Sequence, residues 1–280
     1  MKIGIKKPEN FRLPKRQSPK CILGIIGGSG LEKLDIFQDA KEIIVKTPFG
    51  FPSSPIISGK INETEIFIIA RHGVKHSINP TNVNYRANIS ALKRLGCTHI
   101  LATTACGSLK QSIKPGDFVI LDQFIDRTTK RHSTFFDKNR VGHIGMADPF
   151  CEKLRKILIE TCKKQKLAYH PRGTVITIEG PRFSSRAESN LFRIWKADVI
   201  NMSTVPECVL AREAGICYSA IAMATDYDCW HKSEEAVTLE MVLNVMKKNS
   251  ENVTRLLLAV IPNINFQECA CKKEVKHALI

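Results

Sequence analysis

The sequence predicts a single-domain α/β fold with a central mixed β-sheet flanked by helices, on three observations. From residue 21 onward, short apolar runs rich in β-branched residues alternate with amphipathic stretches of helical period, the rhythm of an α/β sheet. Several of those runs are apolar throughout, as strands covered on both faces are. The helical stretches carry recognisable start and stop residues.

Residues 1–20 are rich in Lys and Pro with little periodicity and are read as a basic, flexible leader. Strands are expected over 21–26, 43–46, 55–58, 65–70 and 99–103, then over 117–124, 173–178, 197–201 and 216–224. The helix over 82–95 follows Asn79-Pro80 and stops at Gly96. The next, 149–166, opens with Pro149 after Asp148, using proline in a first turn. Helix 185–195 opens on the capping box Ser185-x-x-Glu188, and helix 205–214 on a second, Thr204-x-x-Glu207, before ending at Gly215. The last helix, 238–260, starts at Thr238 and carries apolar residues at three- and four-residue spacings from Leu239 to Val260 before Pro262. No repeat or linker interrupts this order after residue 20, so 21–262 is one domain and 263–280 a tail.

The chain has 280 residues, enough to bury roughly three-quarters of its unfolded surface without a stapling metal or disulfide. Lys and Arg total 42 against 27 Asp and Glu, a net charge of +15. Such a balance favours anionic partners, although the lysines are scattered as on a solvated surface. With four Tyr, two Trp and no nucleic-acid-binding motif, a nucleic-acid binder is disfavoured. No apolar run spans a bilayer and no secretory h-region follows the basic N-terminus, so a cytoplasmic protein without membrane association is expected. Ten cysteines are present. Most sit singly in apolar stretches (Cys97, Cys106, Cys217), where Cys acts as a small hydrophobe. No Cys/His spacing fits a zinc site.

In an α/β sheet, ligands gather where strands end, and a polar cluster follows several of the apolar runs. Gly27-Gly28-Ser29-Gly30 allows close backbone approach to an anion; a plain tight turn is the alternative. Arg71-His72-Gly73 places a planar cationic fork suited to phosphate at a strand end; a surface arginine is the alternative. Thr103 to Ser108 supplies small hydroxyl residues and backbone N–H groups. Glu179-Gly180-Pro181-Arg182-Phe183 joins a buried carboxylate, a turn and an exposed aromatic, as a sugar or base pocket would, or an ordinary turn. Asn201-Met202-Ser203-Thr204 precedes a helix, where hydroxyls and amides bind an anion or only cap the helix. Thr225-Asp226-Tyr227-Asp228 pairs two carboxylates. These resist joint ionisation, so one stays protonated as an acid; solvated loop aspartates are the alternative. Taken alone, the residues predict an α/β enzyme handling a phosphate and a hydrogen-bonding ring.

The same stretches resemble the purine nucleoside phosphorylase superfamily of trimeric type and, within it, the members that cleave methylthioadenosine. The likeness runs through Gly24 to Leu31, Thr47-Pro48-Phe49-Gly50, Ala70 to Gly73 and Asn84 to Asn88. It continues through Thr103 to Ser108, Asp122 to Thr129, Glu179 to Ser189, Asn201 to Glu207 and Ala222 to Trp230. It covers about residues 21–262.

The resemblance implies a nucleoside-phosphorylase fold and phosphorolysis of methylthioadenosine to adenine and 5-methylthioribose 1-phosphate, with a broader purine nucleoside phosphorylase as the alternative. Phosphate would be held by Ser29, Arg71, His72, Thr104, the Ala105 N–H and Ser203; Ser stands at 29 and 203 where the family usually has Thr, with the hydroxyl kept. Phe183 would wall the base, Met202 underlie the ribose, and Asn201, Asp226 and Asp228 complete the substrate site, with Asp226 as the catalytic acid. Ser184 and the last-helix residues Leu239, Val242 and Leu243 would set specificity, with His143 lent by a neighbouring subunit. That implies a homotrimer, a hexamer being the other arrangement in the superfamily. No metal or organic cofactor is implied, inorganic phosphate being a co-substrate. Cys269-Ala-Cys271 is similar to the C-terminal CxC of heat-resistant archaeal members, which implies a redox-active or stapling pair; two reduced tail thiols are the alternative.

Overall fold

The computed structural model describes residues 21–27, 38–137, 140–231, 239–264, 269–275 and 278, with backbone alone at 38, 239–244 and 246–248. The 1–20 leader, the Gly28-Ser29-Gly30 turn and the Thr238 cap lie outside the described residues. The strands are β1 (Ile22–Gly27), β2 (Gln38–Ile43), β3 (Ile56–Ile61), β4 (Thr64–Ala70), β5 (His99–Ser108), β6 (Phe118–Ile120), β7 (Gln123–Arg127), β8 (Tyr169–His170), β9 (Thr174–Ile178), β10 (Val199–Asn201) and β11 (Cys217–Asp226). The helices are α1 (Tyr85–Arg94), α2 (Glu152–Lys164), α3 (Arg186–Ile194), α4 (Thr204–Glu213), α5 (Leu239–Val260) and α6 (Ala270–Glu274).

One mixed sheet runs β2-β3-β4-β1-β5-β10-β9-β7, with β11 on β5, β6 on β11 and β8 on β6. Its centre is parallel: β1 pairs with both β4 and β5, and β5 pairs with β11. β5 forks. It runs parallel to β11 from His99 opposite Cys217 to Gly107 opposite Asp226, while Gly107 and Ser108 pair antiparallel with Ile200 and Val199 of β10.

Side-chain alternation along β1 separates two cores. Ile26 packs with Ile89 and Leu92 of α1 and Leu210 of α4. Leu23 and Ile25 pack with Leu154 and Leu158 of α2 and Leu256 and Leu257 of α5. The sheet is therefore covered on both faces, which explains why its central strands read as apolar runs rather than as alternation. No helix among the described residues is long and apolar enough to cross a membrane.

Local expectations are corrected in five places. The strand expected at 43–46 lies at Gln38–Ile43, because the edge pairing with β3 is made by polar residues and leaves Ile44 77% exposed. The run at 117–124 is two strands, because β6 pairs with β11 and β8 whereas β7 pairs with β9. The strand at 99–103 continues to Ser108 through pairing with β11 and β10. Helix α2 starts at Glu152, after Cys151, rather than at Pro149. The Thr204-x-x-Glu207 box does not form. Ser203 precedes the helix, Val205 is non-helical, and Glu207 is fully buried and turned inward. The Ser185–Glu188 box is present in both directions. The tail also carries the short helix α6, which sequence periodicity did not mark.

Gly24 explains how closely α1 approaches the sheet. A Cβ at that position would lie 2.9 Å from Leu92 Cδ1 and 3.2 Å from Ile100 Cγ1, both on fully buried side chains. Gly24→Ala is expected to cost about 1–3 kcal/mol through overpacking, measured as a lower midpoint of thermal or urea unfolding. An unchanged midpoint would show that α1 yields at this contact.

Candidate active site

The carboxyl ends of the parallel strands face one region. Arg71 follows β4 directly, and its backbone N–H donates to Gly27 O at the end of β1. Its guanidinium is 2% exposed. Nε donates to Glu207 Oε2 at 2.7 Å, NH2 to Glu207 Oε1 at 2.9 Å, NH1 to Thr103 O at 2.8 Å, and NH2 more weakly to Ile26 O at 3.4 Å. Tyr218 of β11 donates to Glu207 Oε1 at 2.8 Å. Burial opposes the charge, but the Glu207 carboxylate more than offsets it and holds the guanidinium pKa above its ordinary value. This burial rules out the alternative of a surface arginine. The two-pronged fork of Arg71 grips Glu207, and of five N–H donors one on NH1 remains without a partner among the described residues.

Beside it stands a hydroxyl cluster. Thr104 Oγ1 and Ser203 Oγ are 3.1 Å apart, and both residues are buried. Asn201 Nδ2 donates to Thr104 Oγ1 at 3.2 Å and to Thr204 Oγ1 at 2.6 Å, while its Oδ1 accepts from Thr177 Oγ1 at 2.9 Å. Asn201 thus spends its amide on orienting hydroxyls. His72 Nδ1 lies 2.9 Å from Ile78 O. Burial, and next the Arg71 charge, push its pKa down to about 4, so the ring is neutral near pH 7. A neutral ring donating from Nδ1 leaves Nε2 as an acceptor.

The two carboxylates lie at the far end of β11. Asp226 Oδ2 accepts from Thr225 Oγ1 at 2.7 Å, and Asp226 Oδ1 accepts from the Asp228 N–H at 2.8 Å. Asp228 adopts a positive φ of 50°, which turns its side chain back beside its neighbour. Ser184 Oγ lies 3.2 Å from both Asp228 oxygens. Burial raises the pKa of both carboxyls. Desolvation is the largest cause at Asp226 and repulsion from Asp228 the smallest, so the mutual repulsion expected from the paired carboxylates is a minor effect there. Gly107 makes the arrangement fit. A Cβ there would be 3.0 Å from Asp226 Oδ1 and 3.2 Å from Asp228 Cβ.

Glu179 departs from its expected place as a buried pocket carboxylate. It accepts from the backbone N–H groups of Thr129 and Lys130, from Thr81 Oγ1 and from Arg131 Nε. Its pKa falls to about 2, because these bonds outweigh its desolvation. Arg131 also donates to Tyr85 Oη, Val205 O and Glu179 O. The pair braces the turn in which Gly180, at φ 65°, leaves room for Met202 sulfur; a Cβ there would come within 2.5 Å. Phe183 presents a side chain 51% exposed.

Of the expected residues, Arg71, Thr104 and Ser203 share one neighbourhood, as do Ser184, Asp226 and Asp228, and pairing of β5 with β11 and β10 joins the two. His143 is exposed and its backbone N–H donates to Ala278 O in the tail. Ser29 lies outside the described residues, as do the side chains of Leu239, Val242 and Leu243. Sequence reasoning missed the inward role of Glu207, taken for a cap, and those of Tyr218 and Arg131. It also treated Cys217 as a lone hydrophobe, as Cys97 and Cys106 are. Instead, Cys217 meets Cys151, Cys269 and Cys271 at the opposite end of β11.

A family model described as the phosphorylase superfamily matches residues 22–262. The chain is 58% identical over 248 residues to the S-methyl-5'-thioadenosine phosphorylase of Xenopus tropicalis, covering 86% of this chain and 88% of that one. It is 57% identical over 249 residues to the enzyme of the same name from Anopheles gambiae, covering 88% and 90%. A solved methylthioadenosine phosphorylase from Schistosoma mansoni, in complex with adenine, superposes with a TM-score of 0.88 at 41% identity, covering 92% of this chain and 99% of the other. A Schistosoma mansoni mutant enzyme in complex with methylthioadenosine gives a TM-score of 0.87 at 40% identity, covering 92% and 98%.

Glu207→Gln leaves the buried Arg71 charge without its counter-ion and is expected to cost about 3–5 kcal/mol of stability, read from urea unfolding. A loss under about 1 kcal/mol, the range of exposed pairs, would show that solvent reaches the guanidinium.

Proposed function

The chain belongs to the phosphorylase superfamily, and from that premise we propose that it is a pentosyltransferase cleaving methylthioadenosine with inorganic phosphate to adenine and 5-methylthioribose 1-phosphate. The observation that carries this reading is the placement of two enclosed carboxylates and a guanidinium–hydroxyl cluster at one end of the β5–β11 pair. A nucleoside with phosphate under its sugar needs these two chemistries side by side.

Phosphate would take the remaining Arg71 N–H, the Thr104 and Ser203 hydroxyls, the Ala105 N–H and the Ser29 hydroxyl. Neutral His72 would accept a hydrogen from a phosphate hydroxyl through Nε2. Phosphate then attacks the anomeric carbon as the glycosidic bond breaks, and its negative charge stabilises the oxocarbenium-like sugar. The departing base gathers charge at N7. Burial favours one shared proton on the pair over joint ionisation; Asp226 carries it and donates there as general acid, leaving Asp228 as the carboxylate. Asp228, oriented by Ser184, accepts from the exocyclic N6 amino group. A carboxylate acceptor would repel the O6 of a 6-oxo purine, so the pair favours aminopurines. Phe183 covers the base and Met202 the ribose, while Asn201 aligns the Thr104 hydroxyl. Phosphate supplies the nucleophile and Asp226 the proton, so this route calls for no metal or organic cofactor.

The 5'-methylthio group would enter an apolar pocket made by Leu239, Val242 and Leu243 with His143 of a neighbouring chain, in a homotrimer. The exposure of His143, beside Val141 at 54%, supports a contact role for that segment. Salvage of adenine and methionine in the cytoplasm is the setting for this reaction.

Phosphate-dependent release of adenine from methylthioadenosine tests the reading; no release, or release independent of phosphate, overturns it. Asp226→Ala is expected to lose well over tenfold in kcat/KM while the fold is kept, and a loss within about tenfold, ~1.4 kcal/mol of barrier, would remove Asp226 as the acid. Asp228→Asn is expected to shift preference toward 6-oxo substrates such as methylthioinosine, and an unchanged preference would refute the selectivity argument.

A further inference from the structure

Four cysteines from three distant parts of the chain converge at the end of β11 remote from Asp226. Cys151 precedes α2, Cys217 opens β11, and Cys269 and Cys271 flank the start of α6. Their Sγ atoms all lie within 4.8 Å of one another. Cys269 Sγ is 3.6 Å from both Cys151 Sγ and Cys271 Sγ. All four are free thiols, and only Cys269 is not buried.

This spacing is that of ligands around a single ion. Zinc–sulfur bonds of about 2.3 Å in a tetrahedron place sulfurs about 3.8 Å apart. A closed set of four thiolates, with no position left for water, is the donor set of a structural zinc site rather than a catalytic one. The surroundings hold the ligands in place. The Cys151 N–H donates to Tyr218 O at 2.8 Å, fixing the start of α2 against β11. The buried Arg212 donates from NH1 to Cys271 Sγ at 3.3 Å, placing a positive charge beside the sulfur set, and its guanidinium also pairs with Glu274 of α6. Such outer contacts orient ligands and offset their charge. Sequence spacing did not reveal the set, because only Cys269-x-Cys271 is local and its partners lie 118 and 52 residues before Cys269.

We propose that Cys151, Cys217, Cys269 and Cys271 bind one thiophilic divalent cation, zinc, which clasps the C-terminal segment to the sheet and to α2. The site is distinct from the phosphorolysis site and does not depend on its assignment. On binding, each coordinating thiol gives up its proton to solvent and no electron is transferred.

The test uses the full chain, purified under reducing conditions without chelator. Elemental analysis is expected to find about one zinc per chain. The metal-free chain titrated with cobalt(II) is expected to show the intense thiolate-to-metal absorption and visible bands of a tetrahedral thiolate set. The double variant Cys269→Ser/Cys271→Ser is expected to lose stoichiometric zinc and to melt at a lower temperature, while wild-type cobalt spectra keep the test independent of how that variant folds. Three results would overturn the proposal. One is zinc well below one equivalent, with no charge-transfer band on adding cobalt. Another is a double variant that retains full zinc occupancy. The third is an intact mass, before reduction, lighter by two hydrogens for each of one or two disulfides, with no bound metal.

Discussion

The buried pair of Arg71 and Glu207 is the constraint around which the centre of the molecule is arranged. A guanidinium 2% exposed and a carboxylate with no exposed side-chain surface hold their charges only while both are present and well bonded. Their bonds reach outward to β1 through Ile26 O, to β5 through Thr103 O and to β11 through Tyr218. α4 supplies the carboxylate, and meeting Arg71 requires Glu207 to abandon the capping role its sequence position suggests. The irregular start of α4 follows, with Ser203 and Thr204 turned toward the strand ends rather than to the helix backbone. Electrostatics in the core therefore sets the position of hydroxyls at the surface of the site.

A second device acts at the other end of the cluster. Asp226 and Asp228 could have been solvated loop residues. Enclosure by β5, β11 and the Ser184 turn shifts both toward their protonated forms, and the hydroxyl and N–H donors around them moderate that shift. Burial sets the direction of the change and hydrogen bonding sets which oxygen faces which neighbour. Gly107 is what permits two side chains to share that space.

Much of this was legible in the sequence, for identifiable reasons. Strands buried on both faces advertise themselves as apolar runs, and the polar residues that end them stand out by contrast, so β1, β4, β9 and β11 were legible. The Ser185–Glu188 cap was found because both halves of the motif are local. What escaped depends on contacts between distant residues. β2 is an edge strand whose polar side chains carry no signal of pairing. Glu207 fits a capping motif and a buried ion pair equally well on paper, and only Arg71, 136 residues away, decides between them. Glu179 and Arg131 form a brace for the same reason, invisible until the chain is folded. Cys217 looked like filler because its three sulfur neighbours lie in other segments.

The fork in β5 has a consequence for how such a protein can change. Thr104 and Gly107 sit on one continuous strand, and three steps of about 3.3 Å separate them by about 10 Å. That interval is a ruler set by backbone geometry, and no side-chain exchange at either mark alters it. Under the proposed function, base recognition could therefore be retuned at positions 226 and 228 without moving the anion seat. Inserting or deleting a residue between the two marks would instead flip every following side chain to the opposite face of the sheet. Diversification along this lineage is open to new bases and closed to new spans.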